Sequence, residues 1–228
     1  MTLPRVLETE VMDTVDEAES YAAMDHTEGN AAFVERVVQL GGERIGEAEG
    51  WVLDLGTGPG DIPLMLCERI KGLKVLGVDA SWEMLRLAQQ RRHAAPPSLA
   101  KRMLFQLADV KALPLLAGNF DAVICNTILH HIPEPQQLLR EAARVLRPGG
   151  LLLIRDLFRP ESQERLQELV DLHAAENTPH QRQMFRDSLH AALTPDELRT
   201  LADANGLRHA EIVIDSDRHM SLQMPCPA

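Results

Sequence analysis

Aromatic residues are scarce in this chain, with one tyrosine, two tryptophans and five phenylalanines in 228 residues. Single-stranded nucleic-acid binders stack bases on aromatic side chains set in a basic groove, and this composition supplies neither. Basic residues are also in deficit, 23 lysines and arginines against 34 acids, for a formal net charge of −11. Phosphate binding needs a concentrated basic face, so no nucleic-acid partner is expected. The densest basic stretch, Arg86, Arg91, Arg92, Lys101 and Arg102, reads as a solvated helix end and loop. Only three cysteines occur, Cys67, Cys125 and Cys226, far apart and without metal-ligand spacing. An odd count with no visible signal segment suggests reduced thiols and a cytoplasmic location. Met1–Glu10 has no cationic start followed by an apolar run, so no targeting segment is expected. No apolar stretch approaches bilayer-spanning length, and no membrane partner is expected.

What is present is an alternation of strand and helix patterns. Trp51–Leu55, Lys74–Val78, Met103–Leu107, Asp121–Cys125 and Leu151–Arg155 are short apolar runs, suited to strands buried on both faces of a parallel sheet. Between them Ile62–Lys71, Trp82–His93 and Gln136–Leu146 repeat apolar residues at helical spacing. The alternation predicts an α/β, doubly wound, mostly parallel sheet. Arg147-Pro148-Gly149-Gly150 stops one helix and turns into the next strand.

The flanks differ. Thr14–Gln39 reads as two helices broken near His26 to Asn30, and 159–193 as a polar helical insertion with loop. Thr194-Pro195-Asp196-Glu197 is a helix start in which Thr caps, Pro fits the first turn and Glu closes a capping box. Ala210–Ile214 and His219–Met224 suggest a closing antiparallel pair. The chain divides into an N-terminal helical cap (1–50), a core (51–156), a variable insertion (157–193) and a last helix with hairpin (194–228), all within a single domain.

The first strand ends in Asp54 and runs directly into Gly56, Thr57, Gly58 and Gly60. Glycines allow a tight turn with positive φ and let a ligand approach the main chain. Asp61 is expected to cap the next helix, whose free amides can bind a carboxylate. A glycine-rich turn on its own is common in purely structural settings. Asp79, at the end of the second strand about 20 residues on, adds the acid that binds ribose hydroxyls in dinucleotide folds.

Six ordered segments then carry a resemblance. Asp54-Leu55-Gly56-Thr57-Gly58-Pro59-Gly60, Gly77-Val78-Asp79-Ala80-Ser81, Ala108-Asp109-Val110 and Phe120-Asp121-Ala122-Val123 resemble successive motifs of class I S-adenosylmethionine-dependent methyltransferases. Asn126-Thr127-Ile128-Leu129-His130-His131-Ile132 and Val145-Leu146-Arg147-Pro148-Gly149-Gly150 are similar to the subgroup related to quinone-biosynthesis enzymes. The resemblance covers roughly Trp51 to Asp156. It implies a Rossmann-like, seven-stranded sheet with an antiparallel last strand, and S-adenosylmethionine as cofactor with S-adenosylhomocysteine as product.

It also implies roles. Gly56, Thr57, Gly58, Gly60 and Asp61 should surround the methionine and ribose portions. Asp79 should hold the ribose, Ala80, Ser81, Trp82 and Met84 should border the adenine, and Asp109 with the Val110 amide should meet the adenine amino group. Asn126 should stand between cofactor and acceptor, with Asp54 as an indirect anchor.

The acceptor side is thinner. Tyr21, His26, Asn30, Asn126, His130 and Arg155 are the candidate acceptor contacts, and His130, His131 and Tyr21 the only candidates for acid/base work. Packing or hydrogen bonding is the favoured role for the histidine pair. Neighbouring histidines do not easily share one metal and no third ligand suggests itself, so no metal site is expected. His173, His180 and His190 read as exposed loop histidines. Arg218 and His219 read as a salt-bridging turn. The acidic chain favours a small-molecule acceptor, and a homodimer stays open. The competing readings are a nicotinamide-dependent oxidoreductase, a non-catalytic binder of the same cofactor, and an enzyme turning that cofactor to decarboxylation or cyclisation. Against the first, the third glycine comes one residue early for G-x-G-x-x-G.

Overall fold

The computed structural model describes residues 3–8, 11, 13–47 and 49–226. Within the expected cap, residues 1, 2, 9, 10, 12 and 48 lie outside that set, as do 227 and 228 of the terminal segment. Helix α1 (Val15–Ala22) starts at a Thr14–Glu17 capping box. Helix α2 (Thr27–Val37) follows, so the break falls at residues 23–26 and Asn30 lies inside α2 rather than in the break. A wide turn over Val38–Gly42, kinked at Gly41 (φ 102°), leads to α3 (Glu43–Glu47).

The core then alternates as its apolar pattern requires: β1 (Trp51–Leu55), α4 (Asp61–Arg69), β2 (Lys74–Asp79), α5 (Trp82–Ala94), α6 (Pro97–Ala100), β3 (Met103–Leu107), β4 (Phe120–Asn126), α7 (Pro135–Val145) and β5 (Leu146–Leu157). Helices α8 (Gln163–His173) and α9 (Pro179–Ala191) form the insertion, before α10 (Pro195–Ala204), β6 (Glu211–Ile214) and β7 (His219–Met224). The Thr194–Glu197 capping box and Pro195 at the helix start are present in α10.

The seven strands lie in the order β3-β2-β1-β4-β5-β7-β6. β1 to β5 pair in parallel, while β7 runs antiparallel to β5 and to β6. Val52, Leu53, Leu55, Ala122, Val123, Ile124 and Cys125 are fully buried in central β1 and β4. Each large apolar side chain so buried contributes about 1.5–3 kcal/mol. The two faces of the sheet carry separate apolar clusters, one with α7 and α10 and the other with α2 and α4; a third joins α8, α9 and Leu157. Strand order reverses between β1 and β4, and a doubly wound sheet opens its ligand crevice at such a point. Among the described residues no helix is long and apolar enough to cross a membrane.

The basic stretch differs from its sequence reading. Arg102 donates to the carbonyls of Ile70 and Leu73, Arg92 to that of Ala100, and Arg91 pairs with Asp61 at 2.9 Å. Arginine forks close carbonyls left open at helix and loop ends, so these residues staple the fold rather than only solvate it.

Candidate functional site

An open cavity of about 990 Å³ lies over the C-terminal ends of the parallel strands. Its floor comes from the turn after β1 (Gly56, Thr57, Gly58, Pro59) and from Asp79, Ala80, Ser81 and Met84 after β2. Asp109, Val110 and Lys111 follow β3, and Asn126, Thr127, Ile128, His131 and Ile132 follow β4. Residues from the N-terminal segment, Val11, Tyr21, His26 and Asn30, close it from above.

The glycine turn is held from behind. The amides of Gly56 and Thr57 both donate to the Val78 carbonyl at 2.9 Å, tying the turn to β2. Gly56 adopts φ 68°, and a Cβ there would lie 2.6 Å from Ile128. Gly60 adopts φ 81° and would meet Phe105 and Ala88. Only glycine satisfies both the left-handed backbone and the lack of room.

The Asp79 carboxylate accepts from the Gly58 amide at 2.8 Å and the Ser81 amide at 2.9 Å. Burial raises its pKa, opposed by these amide bonds. Asp79 thus locks the two loops together while lining the cavity. Ser81 is nearly fully buried and caps α5, its hydroxyl accepting from the Met84 amide. Asp109 accepts from the Lys111 amide at 2.9 Å, which turns the chain after β3. The Asn126 Oδ1 is buried without a hydrogen-bond partner among the described residues. A buried amide oxygen left so calls for a donor from a ligand or water.

Several expectations are corrected. Gly60 does not line the cavity, and Asp54, expected as an indirect anchor, stands behind the wall rather than in it. Asp54 is 1% exposed and accepts from the Thr57 hydroxyl at 2.7 Å, shaping the turn from beneath. Asp61 does line the cavity, but it is the first residue of α4 and caps nothing; Gly60 stands at the cap position. Trp82 is 63% exposed and outside the wall. His130 and Arg155 are outside it as well: His131 takes the first one's place, and Arg155 lines a separate cleft with Arg36, Asp215 and Ser221. No residue of 157–193 lines the main cavity. In that region His173 bonds Asp217 at 2.7 Å and so is no exposed loop residue. Arg218 pairs with Asp217, while burial and the Arg155 and Arg218 charges push His219 down to about 3.

Sequence reasoning missed Glu8. Arg5 donates to the carbonyls of Ala191 (2.6 Å) and Ile132 (2.9 Å), fastening the N-terminal segment beside the turn Leu129–His131. Glu8 then lies 3.4 Å from His130 Nε2 and 3.1 Å from His131 Nδ1. Behind them, His130 Nδ1 bonds Asp156 at 2.5 Å. Burial alone would push His130 down, but Asp156 and then Glu8 hold its pKa above the usual value. Tertiary structure thus brings beside the histidine pair a third group of ligand type, Glu8, that the sequence did not suggest.

Tyr21 and His26 stack with ring centroids 4.5 Å apart. Burial, with the charges of Asp61 and Asp79, pushes the Tyr21 phenol up to about 12, against a side-chain hydrogen bond with Thr127. At neutral pH it therefore keeps its proton and is suited to donate rather than to act as a base. Thr127 sits at φ 56°, a strained position for a β-branched residue, immediately after the strand end.

Asp54 has a measurable consequence. Burial pushes its pKa up to about 7, the Thr57 hydrogen bond opposing and the Asp79 charge adding. The folded chain holds this proton more tightly than the unfolded one. The stabilisation is therefore full below the unfolded pKa of about 4 and is lost as pH rises through the folded value. Asp54→Asn keeps an acceptor for Thr57 and has no charge to bury. In urea unfolding, its stability relative to the parent is expected to rise by about 1 kcal/mol per unit between about pH 5 and 7. A pH-independent difference would contradict the buried acid.

The strand order, the glycine turn at the β1 end and the antiparallel β7 define a Rossmann-like fold of the class I methyltransferase type. Residues 52–150 match the family model described as a methyltransferase domain, and this stretch of the chain carries that domain. A demethylmenaquinone methyltransferase of Thermus thermophilus is 41% identical over 109 residues, 48% of this chain and 48% of that protein. The 27-O-demethylrifamycin SV methyltransferase of Amycolatopsis mediterranei is 35% identical over 107 residues, 47% of this chain and 38% of that protein. The chain thus spans about half the length, or less, of these curated relatives. A solved structure of a putative S-adenosyl-L-methionine-dependent methyltransferase from Methanococcus maripaludis superposes with TM-score 0.68 at 17% identity, covering 98% of both chains. That likeness concerns the fold.

Proposed function

We propose that this protein is an S-adenosylmethionine-dependent methyltransferase acting on a small-molecule acceptor by in-line displacement. The observation that carries this reading is the single cavity wall onto which Gly56, Gly58, Asp79, Asp109 and Asn126 converge from four successive strand ends. When bound, the cofactor would supply an electrophilic methyl group on a positively charged sulfur.

The chain's own residues do the holding. Asp79, already fixed by two amides, has lone pairs left for ribose hydroxyls. The unpartnered Asn126 oxygen offers an acceptor for a cationic or amino group of the ligand. Three carboxylates in the wall, Asp61, Asp79 and Asp109, against one lysine, Lys111, favour a cation over an anion in this space. Tyr21, His26, Asn30 and His131 form the acceptor side, excluding water and orienting the nucleophile. A base is required only when the acceptor must lose a proton. The relatives support a small-molecule acceptor, one being named for a demethylmenaquinone and the other for a demethylrifamycin. The free thiols of Cys67, Cys125 and Cys226 support a reducing, cytoplasmic location.

Calorimetric titration with S-adenosylmethionine and with NAD tests the assignment. Binding of the first and not the second is expected; tight binding of NAD alone would favour the oxidoreductase reading and sink this one. Transfer of a labelled methyl group to a quinol or phenol panel then separates an enzyme from a binder.

A further inference from the structure

We propose that Glu8, His130 and His131 form a binding site for one divalent transition-metal ion of the zinc class, with Asp156 orienting His130. The three donor atoms, a Glu8 carboxylate oxygen, His130 Nε2 and His131 Nδ1, all lie within 4.8 Å of one another. Tetrahedral zinc with nitrogen and oxygen donors at about 2.0–2.2 Å places its ligand atoms about 3.3 Å apart. The two separations to Glu8, 3.4 and 3.1 Å, straddle that value. The first is long for a good hydrogen bond, so an ion between the groups satisfies the spacing better than direct contact does.

Adjacent histidines converge because they use different nitrogens. In the tight turn Leu129–His131 the rings sit with centroids 4.3 Å apart, tilted by 34°. His131 presents the nitrogen near its backbone and His130 the far one, which compensates for their one-residue offset. The support behind them matches a metal centre as well. Asp156 is 3% exposed and accepts from His130 Nδ1, which fixes the tautomer that leaves the Nε2 lone pair outward. Ser188 donates to both Glu8 oxygens at 3.3 and 3.2 Å, holding that carboxylate in place.

Two imidazoles and a carboxylate suit zinc, or cobalt in its place, over magnesium or calcium, which take oxygen-rich sets. Three protein ligands leave a fourth position open. His131 also lines the main cavity, so the site stands at its edge, where that position can take a water or an anionic oxygen or sulfur of an acceptor. The ion's affinity stands apart from the methyl-donor reading, because none of its ligands belongs to the glycine turn or to Asp79.

The test uses the full chain stripped with chelator and titrated with zinc, with bound metal counted by plasma emission. About one zinc per chain at micromolar free metal is expected. His131→Ala and Glu8→Gln should each weaken binding by at least about tenfold, while His173→Ala, at the separate pair with Asp217, leaves it unchanged. Cobalt loading of the unaltered chain gives a reading independent of any variant, with intense visible absorption from four-coordinate nitrogen and oxygen ligation expected. No metal retained, no such absorption, or parent-like affinity in both ligand variants overturns the site. Loss of zinc binding with S-adenosylmethionine binding intact, or the reverse, shows which of the two readings has failed.

Discussion

Asp79→Ala is expected to weaken S-adenosylmethionine binding by about 100-fold or more. Two charge-assisted hydrogen bonds to ribose hydroxyls at about 1.5 kcal/mol each give about 3 kcal/mol, and each 1.4 kcal/mol is tenfold. The variant also releases the Gly58 and Ser81 amides from their shared acceptor, which loosens the turn the ligand rests on. Asp79→Asn separates the two effects, since it keeps an acceptor and the shape but loses the charge. Its dissociation constant should fall between those of the parent and the alanine variant. Calorimetry provides the numbers, and circular dichroism checks that the fold survives. Parent-like affinity in Asp79→Ala would remove the ribose contact from the assignment.

The largest loss of stability is expected from Asp156→Ala. This carboxylate is 3% exposed, bonds His130 Nδ1, and accepts from the backbone amides of His130 at 3.0 Å and Leu157 at 2.6 Å. Burial works to raise its pKa, but the His130 charge and these hydrogen bonds lower it overall. Removing one partner of a buried charged pair costs about 3–5 kcal/mol, because the other is left uncompensated. Urea unfolding at neutral pH should show a loss of that size. The double variant Asp156→Ala/His130→Ala should recover part of it, since no buried His130 Nδ1 donor is left without its partner. A loss under about 1 kcal/mol in the single variant would mean that the pair is not charged in the folded chain.

The strands were legible because burial on both faces leaves continuous apolar runs. Trp51–Leu55 and Met103–Leu107 fall where those runs placed them, and β4 extends by one residue at each end. The positions that line the cavity were legible for a related reason: Gly56, Asp79, Asp109 and Asn126 each stand at or just after a strand end, and parallel strands bring their ends together. Where the sequence fell short, side-chain direction or tertiary approach decided the outcome. His130 and His131 are neighbours, and only the tight turn determines that the second faces the cavity while the first turns to Asp156. Glu8 belongs to a segment without periodicity, and its approach depends on Arg5 gripping carbonyls more than a hundred residues away. Asp54 and Gly60 carry the motif's letters yet act from beneath the turn, which no spacing rule distinguishes from lining it.

The division of the cavity between floor and roof has an evolutionary reading. The floor is embedded in the sheet, so changing it means changing the fold. Tyr21 and His26 brace each other through ring stacking and the 3.1 Å bond from His26 to the Tyr21 carbonyl, and the Tyr21 side chain also hydrogen-bonds Thr127 beyond β4. Upstream of Phe33 the segment is tied to the body of the protein mainly by polar contacts, Glu19 with Arg86 at 3.1 Å, the Asp13 carboxylate with the Trp82 amide at 3.2 Å and the Gly29 carbonyl with Arg155 at 3.3 Å, while Phe33, Val34 and Val37 enter the apolar cluster on the α4 face. An exchange of the stretch upstream of Phe33 therefore has to keep those pairings with Arg86, Trp82 and Arg155. Under the proposed function, grafting the corresponding stretch from a relative retargets the acceptor while leaving the glycine turn and Asp79 unaltered only where those partners in the body are matched.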